Sequence, residues 1–130
     1  MKKDTYVTYK NVEQYIGNRP KLDIELVGPK SQRPVYQALV DTGADYLMLP
    51  DTYAQQVGLS LSSAQPYGYW TANSWATSKI LRNLDVIVEG LRITIDVVFD
   101  PLCPSGPILG RYALVAVIEV GFKDKEWYWL

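Results

Sequence analysis

Ala38-Leu39-Val40-Asp41-Thr42-Gly43-Ala44-Asp45 is the stretch on which the reading of this chain turns, a D-T-G tripeptide entered from an apolar run. Asp-Thr also occurs at Asp4-Thr5 and Asp51-Thr52, each time followed by Tyr. A carboxylate that activates water against a peptide bond must take a proton from it while a second, protonated carboxyl donates to the substrate carbonyl. Two Asp therefore share one proton. Like charges about 3 Å apart resist joint ionisation, and the resulting pKa values belong to the pair. In such a site Asp41 is the acid/base, Thr42 offers a hydroxyl to fix the turn, and Gly43 lets the backbone approach the other carboxylate with no Cβ between. The plain alternative is a turn between strands, where Asp and Gly are favoured. A single D-T-G is at most half of the site.

Continued through Tyr46-Leu47-Met48-Leu49-Pro50, the segment resembles the active-site stretch of the retropepsins, the single-domain, retroviral-type aspartic proteases. Pro107-Ile108-Leu109-Gly110-Arg111-Tyr112-Ala113-Leu114 resembles that family's second signature, two apolar residues and then Gly-Arg opening a short helix. The resemblance covers residues 21–130, in the right order, with room for a flap between the signatures. It implies an all-β domain with one or two short helices in a closed, barrel-like acid-protease fold, and hydrolysis of peptide bonds. At 130 residues the chain is too short for the two-lobed pepsin arrangement. The second Asp is thus expected from a second copy, in a homodimer with Asp41 of each chain on the two-fold axis.

The same resemblance assigns further positions. Asp45, four residues after the catalytic Asp, and the adjoining Ala44 contact the substrate; Arg111 pairs with an Asp across the dimer. The plain reading of Asp45 and Arg111 is a surface ion pair worth about 0–1 kcal/mol. Ile108 lines an apolar pocket beside the loop Leu102–Gly106, or is ordinary core. Apolar residues beside the scissile bond are the expected preference. Gln65 to Lys79 occupies the place of the flap and holds Tyr67, Tyr69, Trp70 and Trp75. These aromatics are either pocket walls or hairpin packing, with Trp70 the foremost substrate contact. The flap departs from the retroviral pattern, which has several Gly near the tip; here there is Gly68, and Ala72-Asn73 is the turn.

Composition narrows the alternatives. Net charge is −1 with acidic and basic residues interspersed, which offers neither a basic face for nucleic acid nor a polybasic membrane anchor. No apolar run approaches a spanning length and Met1-Lys2-Lys3 leads into Asp4 and a polar stretch, so a cytoplasmic protein is expected. Cys103 is the single cysteine and there is no His. Ser/His and Cys/His catalysis are excluded within the chain, and no metal or other cofactor is expected.

Periodicity predicts strands. Leu22, Ile24 and Leu26 alternate with Asp23 and Glu25 over Lys21–Val27, and Val35–Val40 completes a hairpin into the D-T-G turn. Asp51–Val57 reads as a short helix ended by Gly58. Asp85–Glu89 and Arg92–Phe99 read as a hairpin around Gly90-Leu91, with Ile93, Ile95, Val97 and Phe99 on one face. Val115–Phe122 and Glu126–Leu130 form a terminal hairpin. Residues 1–20 are set apart as an N-terminal segment. Within it Thr5–Tyr9, like Glu126–Leu130 with Trp127 and Trp129 on one face, is a candidate dimer-interface strand or pairs inside its own chain.

Overall fold

Leu22, Ile24 and Leu26 are fully buried while Lys21, Asp23 and Glu25 stay partly exposed, so the alternation read from sequence becomes one strand with an inner and an outer face. The structure, a computed structural model, describes residues 8–11, 21–70, 72–101, 103, 106–113, 120–123 and 126–129. In chain order the elements are β1 (Thr8–Asn11), β2 (Lys21–Leu26), β3 (Tyr36–Val40), β4 (Leu47–Pro50), α1 (Asp51–Gln56), β5 (Gln65–Trp70), β6 (Trp75–Val88), β7 (Leu91–Asp100), β8 (Ile108–Leu109), β9 (Val120–Lys123) and β10 (Glu126–Trp129). Residues 111–113 add a second short helical turn. The chain is mostly β-sheet.

One sheet runs β2-β3-β8-β4-β7-β6-β5, and β2 also pairs with β6 through Ile24–Val88 and Leu26–Val86. That extra pairing closes the sheet on itself and leaves β5 outside the ring, on the first half of β6. Closure removes the free edges that an open sheet would present. The interior is filled by Leu22, Ile24, Leu26, Val40, Leu47, Leu49, Val86, Val97, Phe99 and Leu109, all buried, and α1 adds Tyr53 and Ala54, with Val57 just past its end. Each fully buried side chain of this size contributes about 1.5–3 kcal/mol of transfer free energy. Tyr53 is inside because its hydroxyl is satisfied: it accepts from the Leu26 amide at 3.0 Å and donates to the Pro34 carbonyl.

Two local features position the rest. β6 is 14 residues long, far more than the Asp85–Glu89 read from sequence. Its register slips between Leu81 and Leu84, where Asn83 has φ 55°. Its residues Trp75–Ser78 pair with β5 alone, so β5 and the start of β6 form a hairpin standing off the ring. The β6–β7 turn is Glu89-Gly90, at φ 47° and 83°, with Val88 opposite Leu91; the turn lies one residue earlier than the sequence suggested. Two successive residues in the left-handed region suit a two-residue hairpin loop.

At the termini β1 pairs antiparallel with β10, and β10 with β9, in a separate three-stranded sheet. Of the two readings left open for these strands, pairing within the chain is the one adopted by Thr8–Asn11 and Glu126–Trp129. Thr5–Val7, Val115–Glu119 and Leu130 lie outside the described residues, as do the side-chain faces of Trp127 and Trp129. Among the described residues no helix is long and apolar enough to cross a membrane.

Candidate active site

The D-T-G segment occupies the connection from β3 to β4, and β8 lies between those two strands. Leu39 and Val40 pair parallel with Ile108 and Leu109, while Met48 pairs antiparallel with Ile108. The ladder continues to the catalytic candidate, since the Asp41 amide donates to the Leu109 carbonyl at 3.1 Å. Asp41 is thereby anchored by backbone on one side. Its Oδ1 accepts the Gly43 amide at 2.9 Å, and the Ala44 amide closes the turn on the Asp41 carbonyl at 3.2 Å. Thr42 was expected to fix this turn through its hydroxyl. It is exposed and makes no hydrogen bond among the described residues; the Asp41 carboxylate does that work as an Asx turn.

The second signature passes directly beneath this loop. The Arg111 and Tyr112 amides donate to the Ala44 and Asp45 carbonyls at 2.8 and 2.9 Å. A Cβ at Gly110 would sit 2.5 Å from the Tyr46 carbonyl oxygen, so only glycine permits the crossing. Arg111 Nη2 donates to Asp45 Oδ1 at 2.7 Å, with both side chains about half exposed (54% and 45%). The pairing expected for Arg111 across a dimer is, in the single chain, made with the Asp of its own loop.

Asp41, Gly43, Ala44, Asp45, Trp70 and Ile108 line one cleft of about 610 Å³, together with Tyr46, Met48, Tyr67, Gly68, Tyr69, Trp75, Val98, Cys103 and Gly106. Six of the eight sequence candidates therefore come together. Thr42 and Arg111 are the two that do not line it. Of the two carboxylates in the lining, Asp45 is held by Arg111; Asp41 is half-buried and faces no cation among the described residues. Ile108 is half-buried at the cleft, whereas its neighbour Leu109 is wholly inside.

The hairpin of β5 and β6 forms one wall. Trp70 is 77% exposed and Trp75 53%, their rings in an edge-on arrangement at 5.1 Å. The Trp75 indole lies on the backbone of Gly68, where a Cβ would come within 2.0 Å of Cζ2. Gly68 thus seats an aromatic ring and is not the tip of the hairpin. Tyr112, Tyr46 and Tyr67 make successive edge-on contacts at 5.1 and 5.3 Å, and Tyr67 stacks with Tyr69 at 6.1 Å, a row running from the 111–113 turn through the D-T-G loop to the hairpin. Burial, followed by the nearby Asp45 charge, raises the Tyr67 phenol; burial, followed by its bond to Asp100, raises Tyr69. Both phenols stay protonated donors at neutral pH.

Sequence reasoning missed Tyr46, Met48 and Val98 as lining residues and Asp100 as the partner of Tyr69. The spacing of Tyr67 and Tyr69, two apart on a strand, is the signal that both face the same way. Among the described residues no cluster of three or more His, Cys, Asp or Glu is arranged to hold a metal ion. Neither a protein-family model nor a curated protein matches this chain.

Proposed function

We propose that the chain is a retropepsin-like aspartic endopeptidase that works as a homodimer. The observation that carries this is Asp41: it directly follows the core strand β3, is pinned by backbone and Gly43, and is the cleft carboxyl not engaged by a cation among the described residues. One such acid per chain calls for a second chain, because the chemistry needs a base and an acid at once. With two copies, one Asp41 takes a proton from water, the water oxygen attacks the scissile carbonyl carbon, and the partner's Asp41 gives its proton to the carbonyl oxygen. Collapse of the tetrahedral adduct then breaks the C–N bond as a proton passes to the leaving amine. The extended peptide lies along the cleft beside β5 as an added strand, with Tyr46, Met48, Val98 and Ile108 favouring apolar side chains.

A second reading is a peptide-binding or dimerisation module of the same fold without useful turnover, since fold does not determine activity. What favours it is the hairpin end, where Trp75 packed on Gly68 and against Trp70 replaces the glycines of a mobile flap. Digestion of a peptide library at mildly acidic and neutral pH, by wild type and Asp41→Asn, separates the two. The protease reading expects cleavage between apolar residues by wild type and a loss of about 10²–10⁴-fold in the variant. Binding without cleavage by both proteins supports the module.

A further inference from the structure

Asp100 ends β7 and is only 4% exposed, an expensive place for a carboxylate unless its oxygens are well used. They are used on two different parts of the cleft. Oδ2 accepts the Tyr69 hydroxyl from β5 and the Ser78 hydroxyl from β6 at 3.1 Å. Oδ1 accepts the Cys103 amide at 3.2 Å, which starts the loop into β8. That loop is tightened again where the Gly106 amide donates to the Cys103 carbonyl at 2.9 Å and the Cys103 thiol to the Gly106 carbonyl at 3.1 Å. Pro107 then accepts the Leu39 amide at 2.9 Å, two residues before Asp41. Tyr69, Cys103 and Gly106 all line the cleft.

One carboxylate therefore ties the hairpin wall to the loop wall. Resting on the protease reading above, we propose that Asp100 and Tyr69 are positioning residues: the Asp100 bridge ties the β5–β6 hairpin to Cys103, and through it to Gly106 of the cleft lining, and so sets the width of the substrate cleft. Neither touches the scissile bond. Simple packing would be served as well by an apolar residue at 100, whereas a carboxylate supplies two acceptor atoms facing two elements.

Tyr69→Phe removes the hydroxyl and keeps the ring, and Asp100→Leu keeps a side chain of similar size but removes both acceptor oxygens, so it serves neither wall. Hydrogen exchange of the full-length protein is expected to speed up by about ten-fold or more in Gln65–Trp70 and Trp75–Ser78 of either variant, with Lys21–Leu26 unchanged, as a lost bond to a charged acceptor implies. On the best-cleaved library peptide, Tyr69→Phe is expected to raise KM by about ten-fold and change kcat by less than about two-fold. A merely structural role would lower the folded fraction and leave KM alone. Unchanged exchange in the hairpin overturns the proposal, as does faster exchange with unchanged KM. A wild type that cuts nothing overturns the protease reading alone, and the exchange measurement still decides whether Asp100 joins the two walls.

Discussion

At the scale of single residues, chemistry here is set by which polar atoms have partners. Asp41 spends one oxygen on Gly43, Asp45 spends one on Arg111, and Asp100 serves Tyr69, Ser78 and Cys103. Cys103 lines the same cleft, but burial first, and then the charges of Asp100 and Asp51, push its thiol from 9.0 up to about 11. At neutral pH it is a thiol and not a nucleophile. Alkylation by iodoacetamide near pH 8 is therefore expected to be slow in the native protein and fast in denaturant; equal rates would contradict this. The sign of the linkage follows from the raised folded value. Between about 9 and about 11 the unfolded chain carries a thiolate and the folded one a thiol, so unfolding releases a proton and stability falls as pH rises through that window. Below it the thiol has no effect on the pH dependence of stability.

At the scale of elements, local pattern and long-range pairing contributed differently. The alternation over Lys21–Val27 and the punctuation of Asp51–Gly58 are local, and β2 and α1 follow them to within a residue. The turn at Glu89-Gly90 displaced the expected Gly90-Leu91 because a non-glycine residue accepted a positive φ, which glycine placement alone does not reveal. Arg82-Asn83 interrupts the apolar pattern of β6, so periodicity alone predicts only its second part, yet Asp96 holds the interruption in the sheet by accepting from Arg82 at 2.8 Å and the Asn83 amide at 2.9 Å. The crossing of the two loops at Gly110 is the element-scale feature most exposed to test. Gly110→Ala forces a methyl against the Tyr46 carbonyl and is expected to destabilise by about 1–3 kcal/mol, the usual cost of overpacking. A urea midpoint equal to wild type would show that the loops separate more easily than this geometry allows.

At the scale of the whole molecule, the closed sheet and the cleft depend on contacts that no local reading supplies. The β2–β6 pairing that closes the ring joins residues 60 to 64 positions apart, and the Tyr69–Asp100 bond spans 31. The D-T-G turn and the Gly-Arg turn were legible as motifs, so six of eight candidate residues fell on one cleft; the tyrosine row and the Asp100 bridge were not, because nothing nearby in sequence marks their partners. Arg111 belongs to this scale as well. Its pair with Asp45 is half exposed, so Arg111→Ala is expected to change chain stability by no more than about 1 kcal/mol. The guanidinium has donors beyond the one Asp45 takes, available to a second chain. Sedimentation equilibrium of Arg111→Ala should accordingly show a shift toward monomer, and an undiminished dimer would confine the residue to its own loop.

Whether each catalytic centre takes an Asp41 from two chains is decided by mixing wild type with Asp41→Asn, allowing subunits to exchange, and following peptide cleavage against the wild-type fraction. If one centre is shared by two chains, activity falls as the square of that fraction, to about a quarter in an equal mixture. A linear fall, to about half, would mean that each chain cuts alone and that no centre is shared.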